Sequence, residues 1–353
     1  MKTLTVHLPG REYDIWIEKG ILRQTGVECR RVLPKTTRIL LVTDSNVAPL
    51  YGKQAEESLT NTGFTVRTVT IPAGEPSKCA DQLVNLWNEA MSFGITRTDA
   101  IVALGGGVVG DLAGFAAATI LRGIPFIQIP TTLLAQVDSS VGGKVAIDLD
   151  AGKNLVGAFW QPKLVLMDPD TLNTLPDITF SDGMAEVIKY GCIWDADFFR
   201  LLEQCGNRSG VMERIEEVLY TCCAIKAKVV EQDERDTGLR MILNFGHTFG
   251  HAYEKAYHYE TYTHGQAVSA GMCLVAKLGE QRNLTVPGTE AAIRRLTAAY
   301  GLPTHIPCSL EDYRSAVGLD KKGSGDAITV IFLKQLGETL PRKMDKKELL
   351  NLL

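Results

Sequence analysis

The sequence lacks the features that mark membrane and nucleic-acid-binding proteins. No apolar run reaches the roughly 20 residues that a membrane-spanning helix needs. Its 37 basic and 41 acidic side chains give a formal charge of -4, without the basic excess typical of nucleic-acid binding. Residues 1–6 alternate like a strand and do not resemble a signal peptide. We therefore expect a cytoplasmic protein that acts on small molecules, with no membrane or nucleic-acid partner.

Paired cysteines are also lacking. The eight cysteines include no C-x-x-C pair, and most of them lie in apolar segments. This pattern predicts buried free thiols in a reducing compartment. With 353 residues, of which 45% are hydrophobic, the chain is long enough for two globular domains.

Strand and helix patterns alternate through the first half of the chain. This alternation predicts an α/β domain with a Rossmann-like parallel sheet over residues 1–180. The predicted strands are 38–43, 65–71, 100–104 and 126–130, and the predicted helices are 47–60, 78–93 and 112–121. Polar residues follow several of the strands, at the end of the sheet where ligands bind in such folds.

The pattern changes after about residue 180. Helical periodicity over 184–194, 211–231, 245–256, 266–281 and 290–300 predicts a mainly helical domain over residues 181–353. Residues 136–162 are rich in glycine, lysine and polar side chains, so we expect a long functional loop there.

A glycine-rich turn follows the strand predicted at 100–104. Gly105, Gly107 and Gly110 fit the pattern G-x-G-x-x-G, which lets a backbone approach a pyrophosphate at a helix N-terminus. Many such turns are glycine-rich for packing reasons alone, so both interpretations remain open here. No acidic residue follows about twenty positions later, as a Rossmann fingerprint requires. Asp44, at the end of an earlier strand, is the better ribose partner.

Four of the six histidines fall within a short span. His247 and His251 are four residues apart on one predicted helical face, and Glu186 lies three residues before Lys189 on another. Two imidazoles and a carboxylate with an open fourth position are typical of catalytic zinc. The alternative is a surface pair of Glu186 with Lys189 and histidines that only pack.

Polar and cationic residues outside these motifs suit a charged substrate. Asp138, Lys144, Lys153 and Asn154 fit a phosphate or a polyol, although exposed lysines are common without a ligand. The remaining cations of interest are Arg122, Lys226 and Arg240. Arginine matches carboxylates well, but Arg122 also fits a helix end, and Lys226 and Arg240 flank an acidic turn that could pair with them on the surface.

These pieces occur in this order in the 3-dehydroquinate synthases of the shikimate pathway, which the sequence resembles from about Asp44 to Asp320. The resemblance rests on an ordered set of motifs: residues 106–111 (GGVVGD), 130–133 (PTTL), 138–144 (DSSVGGK), 152–155 (GKNL) with 159–162, 185–191 (AEVIKYG), 244–248 (NFGHT) and 264–268 (HGQAV).

The resemblance implies an enzyme with tightly held NAD⁺ and one divalent metal, Zn²⁺ or Co²⁺. It would convert the acidic sugar phosphate 3-deoxy-D-arabino-heptulosonate 7-phosphate into 3-dehydroquinate and phosphate, as a carbon-oxygen lyase of chorismate and aromatic amino acid biosynthesis. In this family the carbon 5 hydroxyl is oxidised, phosphate is eliminated, hydride returns, and an intramolecular aldol reaction closes the ring. A homodimer is implied in the same way.

Site residues also follow from the resemblance, position by position. The metal ligands would be Glu186, His247 and His264, and His251 would lie near the phosphate, either in contact with a ligand or as a proton relay. The NAD⁺ site in the first domain would be lined by Asp44, Asn46, Glu75, Lys78, Gly107, Val108, Val109, Gly110, Asp111, Thr131, Thr132, Lys144, Lys153, Thr171, Leu172, Asn173 and Thr174. The substrate would be bound by Lys144, Asn154, Lys189 and Asn244, with Asp138 on a hydroxyl, Lys226 and Arg240 on the carboxylate, and Arg122 reaching the phosphate from a neighbouring subunit.

Three other functions remain open at this stage. Sibling sugar-phosphate cyclases share the NAD⁺ and metal chemistry but accept substrates without a carboxylate, which would leave Lys226 and Arg240 unmatched. A metal-dependent polyol dehydrogenase would release NADH, and a nucleotide-binding module would have no activity. Residues 145–149 (VAIDL) differ from the sequence common in the family but replace no proposed ligand.

Overall fold

The computed structural model describes residues 1–258, 260–316 and 327–352, so the end of the family resemblance, Asp320, lies outside the described residues. The chain divides into two compact units. The first comprises Met1–Leu175 and Leu219–Arg235, and the second comprises Pro176–Val218 and Asp236–Leu353. The ranges expected from the sequence, 1–180 and 181–353, differ from these units chiefly in Leu219–Arg235. A helical pattern alone cannot show on which unit such a segment packs.

A seven-stranded sheet organises the first unit. Its strand order is β1-β2-β9-β6-β5-β3-β4, and all neighbours are parallel except β1 and β2. The strands of this unit are β1 Lys2–Val6, β2 Tyr13–Ile17, β3 Arg38–Asp44, β4 Thr65–Ile71, β5 Ala100–Gly105, β6 Phe126–Pro130, β7 Lys144–Leu149, β8 Gly152–Phe159 and β9 Leu164–Met167. Its helices are α1 Thr25–Val32, α2 Lys53–Asn61, α3 Ala80–Ser92 and α4 Gly107–Thr119. The predicted Rossmann-like parallel sheet is confirmed.

The central strands are apolar on both faces because both faces are covered. All six residues of β5 are buried. Ile101 and Ala103 belong to a core cluster that includes Leu112 of α4, whereas Val102 and Leu104 belong to a second cluster on the opposite face. Continuous burial of this kind is typical of parallel sheets.

The prediction of a long loop at residues 136–162 is wrong in part, because most of these residues form a hairpin. Strands β7 and β8 pair antiparallel, with Lys144 opposite Phe159. Val145 and Ile147 of β7 are buried in the core cluster that contains α4. The buried stretch of β7 covers only residues 145–147, and the glycines and lysines around it concealed the strands. Helix α4 likewise begins inside the glycine turn, at Gly107, and not at residue 112.

The second unit is mainly helical, as predicted. Its helices are α5 Asp177–Ile193, α6 Ala196–Cys205, α7 Arg208–Glu213, α9 His247–Ala256, α10 His264–Gln281, α11 Thr289–Ala299, α12 Leu310–Ala316 and α13 Lys346–Leu350. Helix α8, Ile215–Gln232, starts in this unit and belongs mostly to the first. Strands β10 Ala327–Gln335 and β11 Glu338–Asp345 form an antiparallel hairpin that the helical periodicity did not predict.

The cysteines are all free thiols, as expected, and five of them are buried. Burial raises the pKa of Cys223 to about 12 and that of Cys273 to about 11. Among the described residues, no helix is both long and apolar enough to cross a membrane.

Candidate metal and cofactor sites

Three helices of the second unit carry the proposed metal ligands. Glu186 lies on α5, where it is 1% exposed, and His247 and His264 are the first residues of α9 and α10. A capping box fixes the start of α10, because the Thr263 hydroxyl accepts from the backbone of Gln266 while the Gln266 side chain binds the Thr263 backbone. The capping box therefore fixes the position of His264 as the first residue of α10.

The three side chains direct one ligand atom each at a common point. Oε1 of Glu186 lies 3.5 Å from Nε2 of His247 and 3.8 Å from Nε2 of His264. The ligand atoms of the three residues all lie within 4.8 Å of one another. Two donors that share one tetrahedral zinc ion lie roughly 3.3 Å apart, given bonds of about 2.0–2.1 Å. The separations thus fit a shared divalent ion.

Glu186 is not part of a surface pair. Its carboxylate contacts the ammonium of Lys189, but both side chains are almost completely buried. Within the described chain, neither carboxylate oxygen of Glu186 accepts a geometrically acceptable hydrogen bond. The ammonium of Lys189 lies against Oε2, so Oε1 is the oxygen left without an ionic partner among the described residues, and a buried polar oxygen without a partner is costly. This unsatisfied oxygen beside two imidazole nitrogens is the observation that a metal ion would explain.

The surroundings shift the pKa values of the two histidines in opposite directions. Burial, reinforced by the charge of Lys189 and by the neighbouring histidines, keeps the pKa of His247 well below its usual range. Burial also disfavours a charged His264, but a hydrogen bond and the charges of Glu254, Glu186 and Asp182 raise its pKa to about 9. The negative field that favours a proton on His264 also favours a metal cation there.

His251 lies beside this group but does not share its common point. Its ring centroid is 5.5 Å from that of His247, and it forms a different group with Glu254 and His264. Helical spacing therefore paired His247 with a histidine that belongs to a different candidate metal group. Glu254 was missed by the sequence reasoning, although it lies seven residues, or two turns, after His247 on the same helix.

The glycine turn of the first unit has both packing and binding features. A Cβ on Gly105 would lie 2.6 Å from the Val109 side chain, so this glycine is required by the fold, whereas one on Gly110 would meet only the end of the Gln128 side chain, at 2.8 Å. Gly106 caps α4 without a side-chain hydrogen bond. The first N–H groups of α4, at Gly107 and Val108, thus begin a helix whose end has no side-chain cap, which suits a phosphate.

Polar residues at neighbouring strand ends surround this turn. Asp44 ends β3, and its Oδ1 accepts hydrogen bonds from the backbone of Asn46 and Val47. Thr131 follows β6, and its buried hydroxyl has no hydrogen-bond partner in the described part of the chain. Thr132 lies 3.1 Å from the Cβ position of Gly106. An unsatisfied buried hydroxyl and an uncapped helix end fit a polar cofactor.

Lys78 is the centre of a charged network in the first unit. Its ammonium lies 2.7 Å from Asp111, 3.7 Å from Glu75 and 4.0 Å from Asp148. Lys153 lies 3.9 Å from Glu75. Burial raises the pKa of Asp111 to about 6, even though Lys78 favours its charged form. The network joins four of the residues expected at the NAD⁺ site.

Residues 171–174 divide into two buried residues and two exposed residues. The Thr171 hydroxyl donates to the backbone of Asp168 and accepts from Gln136, and Leu172 is completely buried. These two side chains therefore stabilise the fold. Asn173 and Thr174 are exposed, and the Thr174 hydroxyl lies 2.6 Å from that of Tyr51. Their role in cofactor binding stays a prediction.

Lys226 and Arg240 are not surface residues. Lys226 is 5% exposed and Arg240 is 3% exposed. The Lys226 ammonium donates a 2.7 Å hydrogen bond to Oδ1 of Asp138 and another to the Asp138 backbone carbonyl. Two residues expected to bind substrate thus already pair with each other. Arg240 lies in a short helical turn, Leu239–Asn244, which also carries the exposed Asn244.

The remaining proposed substrate residues lie at conformationally distinctive positions. Arg122 is exposed, and both it and Leu121 adopt positive φ angles of 66° and 50°. The following Gly123 is required, because a Cβ there would lie 2.4 Å from the ring of Trp160. Asn154 also has a positive φ, 57°, and Lys144 is exposed at the start of β7. Strained non-glycine backbone of this kind is frequent at functional sites.

Comparisons with known proteins agree with this geometry. The chain matches the family models described as 3-dehydroquinate synthase N-terminal over residues 68–182 and 3-dehydroquinate synthase C-terminal over residues 183–323. A 3-dehydroquinate synthase from Clostridium beijerinckii is 47% identical over 344 residues, which are 97% of this chain and 98% of that protein.

Solved structures of other synthases share the fold of this chain. A 2-deoxy-scyllo-inosose synthase complexed with carbaglucose-6-phosphate, NAD⁺ and Co²⁺ has a TM-score of 0.89 and 27% identity and covers 99% of both chains. The 2-epi-5-epi-valiolone synthase of Streptomyces hygroscopicus, with NAD⁺ and Zn²⁺ bound, has a TM-score of 0.85 and 26% identity over 96% of both chains. The fold is thus shared with a class of synthases. Within that class, the chain belongs to the 3-dehydroquinate synthase family.

Proposed function

We propose that the protein is a 3-dehydroquinate synthase, a carbon-oxygen lyase that converts 3-deoxy-D-arabino-heptulosonate 7-phosphate into 3-dehydroquinate and phosphate. The family membership supports the reaction. The observation that carries the proposal is the buried Oε1 of Glu186, which faces Nε2 of both His247 and His264 and lacks a hydrogen bond within the described chain. A carboxylate oxygen and two imidazole nitrogens in this arrangement are what an enzyme needs to bind a metal ion.

Glu186, His247 and His264 would hold one Zn²⁺ or Co²⁺ ion, which would polarise substrate hydroxyls. Nitrogen and oxygen ligands suit either metal. Lys189 lies against Glu186 and would neutralise part of its charge before the metal binds. His251, whose ring is near both ligand histidines, would relay a proton close to the departing phosphate.

NAD⁺ would supply a transient oxidation at one substrate carbon. The α4 N-terminus from Gly107 to Asp111 would hold its pyrophosphate, because the helix end is positive and has no side-chain cap. Asp44 and Asn46 would bind a ribose. Thr131 and Thr132, together with the network of Glu75, Lys78 and Lys153, would complete the cofactor site.

Substrate binding would draw on polar residues of each unit. In the first unit, Lys144 and Asn154 would bind phosphate oxygens, Asp138 would fix a hydroxyl, and Lys226 would share its charge between Asp138 and the carboxylate. In the second unit, Lys189 and Asn244 would contact substrate, and Arg240 would bind the carboxylate through its planar guanidinium. The exposed Arg122 would reach the phosphate of a neighbouring subunit in a homodimer. A cytoplasmic location stays a prediction.

The decisive experiment measures phosphate release from the heptulosonate phosphate with NAD⁺ present in a catalytic amount, far below that of the substrate. Release over many turnovers, without accumulation of NADH, would support the proposal. NADH accumulation would indicate a dehydrogenase instead. Turnover only of a sugar phosphate without a carboxylate would indicate a sibling cyclase, and substrate affinity that a chelator does not change would indicate a module without metal chemistry.

A further inference from the structure

Glu254 of α9 is a buried acid beside the proposed metal site that has no role in the assignments above. It is 6% exposed, and its Oε1 lies 3.3 Å from Nδ1 of His264. The other nitrogen of the same ring, Nε2, faces Glu186 at 3.8 Å. One imidazole thus lies between two carboxylates, one at each nitrogen.

The chemistry of the ring makes these two contacts different. A neutral imidazole carries one N–H, and a carboxylate that accepts a hydrogen bond from Nδ1 leaves the lone pair on Nε2. His247 shows the same arrangement with a weaker acceptor, because its Nδ1 lies 3.2 Å from the backbone carbonyl of Phe245. Both histidines therefore present Nε2 to the common point.

We propose that Glu254 is a positioning residue that accepts a hydrogen bond from Nδ1 of His264 and so fixes Nε2 as the nitrogen that binds a divalent metal. This inference rests on the metal site of the proposed function. An ionised acceptor makes the imidazole a stronger donor to the metal than a carbonyl does, and outer partners of this kind typically change metal affinity by about 10–100-fold.

A rival arrangement uses the same atoms. His251, Glu254 and His264 also form a group whose ligand atoms lie within 4.8 Å of one another, so Glu254 could instead bind a metal directly. In that arrangement the metal ion would bind Nδ1 of His264. The protein would then bind a second equivalent of metal, or the first ion would lose Nε2 of His264 as a ligand. A count of bound metal separates the two roles.

The test titrates the full-length, chelator-treated protein with Co²⁺, follows the visible absorption of the bound ion, and measures Zn²⁺ affinity by competition with a chelator. In Glu254→Gln we expect one bound equivalent, an affinity lower by about 10–100-fold and an altered Co²⁺ spectrum. Glu254→Asp keeps the negative charge but moves the carboxylate oxygen away from Nδ1 of His264, so it should also weaken metal binding. The control is Glu260→Gln, an exposed acid beyond the end of α9, which should bind like the wild type.

Each other result has a defined meaning. Unchanged affinity and spectrum in both Glu254 variants would overturn the inference, and so would loss of a second equivalent with the first intact. If Glu254→Gln does not fold, Glu254→Asp alone decides between these outcomes. Failure of the wild type to bind Co²⁺ would instead contradict the metal site itself, independently of Glu254.

Discussion

The ammonium of Lys78 donates a 2.7 Å hydrogen bond to Oδ2 of Asp111, and Lys78 is only 5% exposed at its side chain. Loss of one partner from such a pair leaves the other charge buried, which typically costs about 3–5 kcal/mol. We expect Lys78→Ala to lower the free energy of unfolding by about 3 kcal/mol, measured by urea unfolding followed by tryptophan fluorescence. Three of the four tryptophans lie in the first unit.

The pH dependence of this variant has a definite sign. Burial raises the pKa of Asp111 to about 6, above its value in the unfolded chain, so the folded state favours the protonated acid. Without Lys78, ionised Asp111 is more costly, and Lys78→Ala should regain stability as the pH falls from 7 towards 5. The double variant Lys78→Ala/Asp111→Ala should lack this dependence. A single variant as stable as the wild type at pH 7 would contradict the prediction.

Asp99 should stabilise the fold with the opposite pH dependence. Its carboxylate accepts hydrogen bonds from the backbone N–H groups of Thr37, Arg38 and Thr96. Burial works against ionisation, but these hydrogen bonds prevail and hold the pKa of Asp99 below its usual value. Its contribution is therefore present above the unfolded-state pKa of about 3.9 and is lost as the pH falls through the lower folded-state value.

Asp99→Asn tests this contribution. The variant should lose about 2 kcal/mol at pH 7, because hydrogen bonds to a charged group are worth roughly 1.5–3 kcal/mol. The difference from the wild type, measured by urea unfolding, should shrink below about pH 4. A difference that stays constant from pH 7 to pH 3 would exclude ionisation as its source.

His264→Ala should remove the metal and abolish turnover, because it deletes one of the three groups that face the common point. Metal content after dialysis and phosphate release are the measurements. His305→Ala is a suitable control, since His305 is an exposed histidine of the same unit and belongs to neither histidine group. Normal turnover in His264→Ala would overturn the ligand assignment.

Arg240→Ala should raise KM more than it lowers kcat. We expect KM to increase by about 10–100-fold, which corresponds to a charge-assisted hydrogen bond of roughly 1.5–3 kcal/mol. Steady-state kinetics with the carboxylated substrate measure both constants, and Arg240→Lys should recover only part of the affinity because it lacks the planar fork. A fall in kcat with KM unchanged would refute carboxylate binding by Arg240.

The sequence predicts elements well where an apolar run has clear ends. Residues 65–71 and 126–130 form the strands expected, and helix α9 begins two residues from its predicted start. The β7 and β8 hairpin was missed because the buried stretch of β7 covers only residues 145–147 and no residue of β8 is fully buried. A short apolar pattern predicts a strand poorly where glycines and lysines interrupt it.

The proposed metal ligands show a second limit of prediction from the sequence. Helical spacing indicates which side chains share one helix face, and it paired His247 with His251. The group that shares a point instead takes Glu186, His247 and His264 from three helices. Only the resemblance to a family suggested this set, because no rule of spacing relates residues on different helices. Glu254 could have been noticed two turns after His247, but its contact with His264 depends on tertiary packing.

The divided first unit has a consequence for synthesis. Leu219–Arg235 belongs with Met1–Leu175, and it supplies Lys226, which holds Asp138, and Glu234, which accepts from Arg11. A nascent chain therefore lacks part of its first unit when residue 175 emerges from the ribosome. Folding of that unit can be completed only after another 60 residues, 176–235, have been made, so residues 176–218 of the second unit are synthesised before the first unit is complete.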